Sequence, residues 1–179
     1  MTKPKLLGIC GSLRQGSYNR MLMHEATRAF GEADFSEAVL NLPLYNGDDE
    51  DARGIPAAVQ ALFEQIDEAD AIIIATPEYN KGPSGVLKNA LDWVSRVKGS
   101  PWKGKPVAIM SAASGRAGGE RAQVILRAFL TPFRCNVLPG PEIAVAGCDK
   151  EFDADGHLTG ELYAKNLDIL MRDLRAEIR

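Results

Sequence analysis

The chain has 179 residues, enough for one domain with a real core, and its 21 basic and 24 acidic residues leave a net charge of -3. No basic excess is available to neutralise a nucleic-acid backbone, so non-specific nucleic-acid binding is not expected. The cysteines Cys10, Cys135 and Cys148 are odd in number and scattered, the two histidines His24 and His157 are far apart, and no apolar run approaches the roughly 20 residues of a membrane span; a disulfide framework, a zinc site and a membrane anchor are therefore not expected. Met1 to Lys5 lacks the long apolar core of a signal peptide, and the cysteine usage suits a reducing compartment, so the expected location is the cytoplasm.

Taken in order, Lys5 to Cys10 reads as a buried strand. It leads into Cys10-Gly11-Ser12-Leu13-Arg14-Gln15-Gly16-Ser17-Tyr18-Asn19, a Gly/Ser-rich loop, and then a helix to about Phe30 with Asn19 as its expected N-cap. Phe35 to Leu42 reads as a second strand. Asn41 to Asp51 reads as a loop, its acidic run Asp48 to Asp51 a solvated tip. Pro56 opens a helix to about Ala69, with Val59, Leu62, Phe63 and Ile66 at helical spacing.

Asp70 to Ala75 is the clearest strand, apolar without alternation, as a central parallel strand covered on both faces should be. It ends in Thr76-Pro77-Glu78-Tyr79-Asn80. A helix starts near Ser84, Val107 to Met110 is a fourth strand, and Ser111 to Gly119 is a second Gly/Ser-rich loop. A helix from about Glu120 to Phe133 follows. Asn136 to Leu138 and Glu142 to Val145 supply a fifth strand, divided by Pro139-Gly140-Pro141, and the last helix covers roughly Glu161 to Ile178.

Strands alternating with helices specify a layered α/β domain with right-handed crossovers. Five strands at this length favour a five-stranded parallel sheet in the flavodoxin-like order 2-1-3-4-5, a three-layer sandwich, over residues 1–179 as one domain. Ligands of such sheets bind beyond the carboxyl ends of the strands, where the strand order reverses. That point lies between the first and third strands, so the topology brings the loop Gly11 to Asn19 and the run Pro77 to Asn80 together, with Ser111 to Gly119 beside them.

A strand, a Gly/Ser loop and a helix N-terminus make an anion site of free N–H groups and the positive end of the helix dipole. Ser12, Ser17 and Asn19 add short donors and Arg14 a cation suited to phosphate. Gly11 and Gly16 serve a tight turn equally well when read alone. The loop is neither of the common dinucleotide or nucleoside-triphosphate signatures. An amide and a carboxylate beside an aromatic ring at Glu78, Tyr79 and Asn80 suit a flat heterocycle with polar edges. Gly115, Gly118 and Gly119 permit close backbone approach to a ligand. Cys10 reads as an inert core thiol, and Trp93 and Trp102 as core or interface residues. No paired acid–base constellation is evident, which fits redox chemistry carried by a cofactor.

The motifs Gly11-Ser12-Leu13-Arg14-x-Gly16-Ser17-x-Asn19, Thr76-Pro77-Glu78-Tyr79-Asn80 and Leu87-Lys88-Asn89-Ala90-Leu91-Asp92-Trp93 resemble the NADPH-dependent FMN reductase family, and within it the quinone and chromate reductases. The resemblance implies an FMN with its phosphate on Gly11, Ser12, Arg14, Ser17, Tyr18 and Asn19. Pro77, Glu78, Tyr79 and Asn80 would line the isoalloxazine, and Ser111, Ser114 and Gly115 would complete the site. It further implies NADPH or NADH as co-substrate, a quinone or similar acceptor (chromate, ferric complexes and azo compounds besides), no catalytic protein acid or base, no metal, and a homodimer or homotetramer. Lys81 and Arg116 depart from the family pattern at the mouth of the site. Two alternatives stay open on the residues: a reductase that supplies free reduced flavin to a partner, and a flavodoxin-type electron carrier.

Overall fold

Ala71–Ala75 (β3) is fully buried because both of its faces are covered. Ala71, Ile73 and Ala75 pack into one core cluster, while Ile72 and Ile74 point into the other. The same alternation runs through Lys5–Cys10 (β1), where Leu6 and Cys10 face the first cluster and Leu7 and Ile9 the second. A strand buried on both sides has no need of polar alternation, which is why these stretches read as continuous apolar runs. The computed structural model describes residues 3–178; Met1, Thr2 and Arg179, the ends of the expected 1–179 unit, lie outside the described residues.

All pairings in the sheet are parallel. Asp34–Glu37 (β2) pairs β1, β1 pairs β3, and β3 pairs Pro106–Ala113 (β4). The fifth position is shared: Asn136–Val137 (β5) pairs the start of β4, and Ile143–Ala146 (β6) pairs its end. The segment between them carries Pro139, Gly140 and Pro141, with a cis bond at Gly140-Pro141. Prolines donate no ladder hydrogen bond, so the strand breaks where the sequence places them. The order is thus β2-β1-β3-β4-β5, the flavodoxin-like arrangement expected from the sequence.

Tyr18–Phe30 (α1) and Glu161–Ala176 (α6) cover one face of the sheet, packed on each other. Ala57–Glu68 (α3), Gly85–Val94 (α4) and Glu120–Leu130 (α5) contribute Leu62, Leu91 and Leu126 to the core on the opposite face. The layers are therefore helix, sheet, helix.

Several element boundaries differ from the sequence reading. The second strand ends at Glu37, not Leu42; after Ala38 donates to the Gly8 carbonyl at 2.8 Å the chain leaves the sheet, and Val39 is exposed. Gly47–Arg53 is a helix (α2), not a loop. Asn46 caps it through the Asp48 N–H at 3.1 Å, and Asp48, Asp49 and Glu50 occupy its first turn, where carboxylates favour the positive end of the dipole. The N-cap of α1 is Ser17, not Asn19. The fourth strand runs on through Ser111, Ala112 and Ala113, so Ser111 belongs to β4 and not to the loop after it. Leu162 lies on the solvent side of α6. Among the described residues, no helix is long and apolar enough to cross a membrane, and no cluster of His, Cys, Asp and Glu could hold a metal ion.

Candidate functional site

A cleft of about 320 Å³ opens beyond the carboxyl ends of β1, β3 and β4, at the reversal of strand order. Ten of the expected residues border it: Ser12, Arg14, Ser17, Tyr18, Asn19, Pro77, Glu78, Tyr79, Ser114 and Gly115. The three loops singled out in the sequence do converge. Gly11, Asn80 and Ser111 do not border the cleft, whereas Gly16, Ala112, Ala113 and Cys148 do.

The loop after β1 is built to present donors. Ser17 Oγ accepts from the Arg20 N–H at 3.3 Å, and Ser12 Oγ accepts from the Arg14 N–H at 3.3 Å. An oxygen that accepts within the loop keeps its own proton for a further acceptor. The N–H groups of Tyr18 and Asn19, in the first turn of α1, have no acceptor among the described residues. Arg14 is exposed at the rim. The loop floor is tight: a Cβ on Gly11 would sit 3.1 Å from Thr76 Oγ1 and 3.2 Å from Ser84 Oγ. Gly11 thus serves close packing beneath the loop.

Asn19 is only 4% exposed, and its amide is largely engaged. Its Nδ2 donates to the Ala112 carbonyl and its Oδ1 accepts from the Ala112 N–H, both at 2.9 Å. The side chain clasps α1 to β4, and only its backbone N–H remains free at the cleft.

Pro77 is buried and Glu78 half-buried at the end of β3. The Glu78 carboxylate accepts from the Ala122 N–H at 3.2 Å, so it caps the N-terminus of α5. Glu78 borders the cleft while its carboxylate holds the start of α5. Tyr79 and Gly82 exchange two backbone hydrogen bonds, at 2.9 and 3.1 Å, around a turn whose central residues Asn80 and Lys81 both have positive φ, 50° and 67°. That is the type I′ geometry, which suits asparagine at its first central position and leaves lysine strained at its second. Tyr79 is 53% exposed. Asn80 sits at the turn tip, away from the cleft.

On the third side, Ser111 is fully buried. It donates to the Gly118 carbonyl at 2.7 Å and accepts from Gln123 Nε2 at 2.8 Å. Its role is to shape the loop, not to border the cleft. Gly118 and Gly119 have φ of 59° and 91°; a Cβ on Gly118 would run into the Ala144 carbonyl, and one on Gly119 would lie 2.8 Å from Ser111 Oγ. Their freedom is used to pack the loop on β6 and β4, not to admit a ligand. Gly115 has open space around it.

Two neighbours of the cleft gave no signal in the sequence. Cys148 is buried at its edge, and burial pushes its thiol up while a hydrogen bond from Ser114 opposes the shift. The Phe152 ring lies 5.7 Å from that of Tyr18, so the segment before α6 backs one wall. Cys10 is buried beneath the loop, and burial likewise raises its thiol, consistent with an inert core thiol.

The donors and the cation suit an anionic group, and the Pro77–Tyr79 run with its exposed aromatic ring suits a planar one. The family model described as NADPH-dependent FMN reductase matches residues 4–150. An NAD(P)H-dependent FMN reductase of Pseudomonas aeruginosa is 42% identical, covering 96% of this chain and 92% of that protein. A quinone reductase of Escherichia coli is 37% identical, covering 90% and 93%. Among solved structures, the flavoenzyme NAD(P)H:(acceptor) oxidoreductase FerB from Paracoccus denitrificans superposes with a TM-score of 0.87 at 32% identity, covering 98% of this chain and 97% of that one.

Proposed function

The chain belongs to the NADPH-dependent FMN reductase family, and from that premise we propose that its cleft holds FMN, with the phosphate on the Gly11–Asn19 loop and the ring against Pro77–Tyr79. The protein is an NAD(P)H-dependent oxidoreductase that uses FMN. When bound, FMN supplies the chemistry: it takes a hydride from NAD(P)H and passes electrons to an acceptor. The quinone reductase name of the Escherichia coli relative supports quinones as acceptors here.

One observation carries the site assignment: the donor-rich loop after β1 and the Pro77–Tyr79 run after β3 border one cleft. Ser12 has a hydroxyl proton to give, the Ser17 hydroxyl lies between the cleft and Cys10 Sγ at 3.9 Å, the first turn of α1 has free N–H groups, and Arg14 offers a guanidinium. Together they hold a phosphate by charge-assisted bonds. The backbone of Pro77 to Tyr79 and of Ser114 and Gly115 positions the ring, and Glu78 keeps that backbone in place through α5. In this reading the residues of the cleft bind and orient the cofactor. The chain reads as one FMN-binding domain. A homodimer or homotetramer belongs to the same reading, and the free cysteines support a cytoplasmic setting.

The test is the visible spectrum of the purified protein, then anaerobic NADPH addition and a quinone titration. A flavin spectrum, bleached by NADPH and restored by quinone, is the expected result. A colourless protein that takes up no added FMN overturns the reading. The name of the Pseudomonas aeruginosa relative favours a second mode, in which FMN exchanges as a substrate. Loss of flavin on gel filtration, with continued NADPH oxidation when free FMN is supplied, would identify it.

A further inference from the structure

The carbonyls of the loop after β1 are held by groups that do not border the cleft. Ser84 Oγ donates to the Gly11 carbonyl at 2.6 Å. Cys10 Sγ lies 3.6 Å from the Ser12 carbonyl oxygen. Arg20 contributes most: its Nη2 donates to the Ser12 carbonyl at 3.3 Å, its Nη1 to the Arg14 carbonyl at 2.8 Å, and its Nε to Glu37 Oε1 at 2.7 Å. Glu37, at the end of β2, has its other oxygen 3.4 Å from His24 Nε2.

The consequence follows from the planarity of the peptide bond. In a trans peptide the C=O and the following N–H point in opposite directions. Pinning the Ser12 carbonyl aims the N–H of Leu13 the other way, and pinning the Arg14 carbonyl does the same for Gln15. A flip of either peptide would release a carbonyl dipole at Ser12 or Arg14, two residues that border the cleft. The fork of a guanidinium suits this task, because one planar group reaches two carbonyls and a carboxylate together.

We propose that Arg20, held by Glu37, is a positioning residue for the cofactor phosphate: it fixes the donor orientation of the loop without touching the ligand. The proposal rests on the reading of that loop as the FMN phosphate site. It predicts a defect confined to the phosphate, because the ring contacts Pro77 to Tyr79 on another element.

The experiment is titration of apoprotein with FMN and with riboflavin, which lacks the phosphate, followed by flavin fluorescence. The variants are Arg20→Lys, Arg20→Met, Glu37→Gln and Arg14→Ala. Both Arg20 variants should weaken FMN by about tenfold or more while riboflavin stays within about twofold. Glu37→Gln should show a smaller loss of the same kind. Arg20→Lys keeps the charge but cannot hold both carbonyls. Wild-type FMN affinity in that variant would mean that charge alone suffices, and would overturn the proposal. Equal losses of FMN and riboflavin would also overturn it, by showing a general structural role. Should Arg20→Met fail to fold, Arg20→Lys and Glu37→Gln decide the matter. Arg14→Ala separates the two readings. If it lowers FMN affinity selectively while the Arg20 variants do not, positioning fails and the phosphate site stands. If none of the four alters the ratio of FMN to riboflavin affinity, the phosphate site itself is wrong.

Discussion

Asn19, Glu78 and Ser111 each have a polar side chain of the right type for a ligand, and each is engaged elsewhere in the fold: Asn19 with Ala112, Glu78 with Ala122, Ser111 with Gly118 and Gln123. A sequence displays donors and acceptors but not their partners, and the Asn19 partner is 93 residues away. Ser12, Ser17 and Arg14 were readable because their geometry is local to one turn. Arg20 was not, since its role depends on Glu37 from the next strand. The thiols show the same dependence on surroundings. Burial pushes Cys135 up to about 11, from an ordinary value of about 9. Its alkylation by iodoacetamide in the native protein should therefore keep rising with pH to about 11, roughly tenfold per unit, because only the thiolate reacts. Mass spectrometry at Cys135 would read this, and a plateau near pH 9 would refute it. Between those values the folded chain retains a proton that the unfolded chain releases, so this group lowers stability as pH rises through that window and has no effect below it.

At the scale of elements, periodicity located the helices and strands whose faces are buried, and missed those that are not. α2 has no buried residue, so it carries no apolar stripe to detect. Its signals are Asn46 before the acidic run Asp48 to Asp51, a capping pattern that also resembles a solvated loop. Contacts with α4 and the turn after it hold the segment down. The Arg96 guanidinium meets Glu50 at 2.9 Å and holds its carboxyl below the ordinary range; Trp93 Nε1 donates to the Pro43 carbonyl at 2.8 Å, and the Tyr45 ring lies edge-on to Trp93 at 5.0 Å. Replacing Asn46 by Ala should cost about 1 kcal/mol of local helix stability. Hydrogen exchange should show faster opening confined to residues 47–53, and an unchanged exchange rate there would contradict the cap. The apolar pattern runs past the second strand because Leu40 is buried beyond Ala38, whose N–H makes the last hydrogen bond to β1. Burial, not pairing, is what an apolar pattern reports.

At the scale of the molecule, the strand order was legible because β1, β3 and β4 are apolar on both faces and separated by helix-length segments. The place of the cleft then followed from the topology alone. Its finer shape did not, because Cys148 at its edge and Phe152 packed on Tyr18 come from a segment with no period. Since the proposed ligand bridges loops after β1, β3 and β4, it should stabilise the whole sheet. FMN at about 100 times its dissociation constant should add about 2.7 kcal/mol. For a chain of this length that is a rise in Tm of roughly 5–11 °C. Thermal unfolding of apoprotein with and without FMN measures it, and an unchanged Tm at saturation would exclude binding to the native state.

The Asn19–Ala112 clasp has a consequence in time as well as in energy. It joins the start of α1 to the end of β4 across a span of 93 residues, and both residues are buried. A contact of such long sequence separation is expected to form late in folding. A contact absent from the transition state governs escape from the native state and leaves entry to it nearly untouched. Asn19→Ala, which orphans a buried N–H and carbonyl, should therefore accelerate unfolding by an order of magnitude or more, at about 1–3 kcal/mol per group, with little change in the refolding rate. Stopped-flow chevrons would show it: a shift confined to the unfolding arm marks the clasp as the last lock to close and the first barrier to opening.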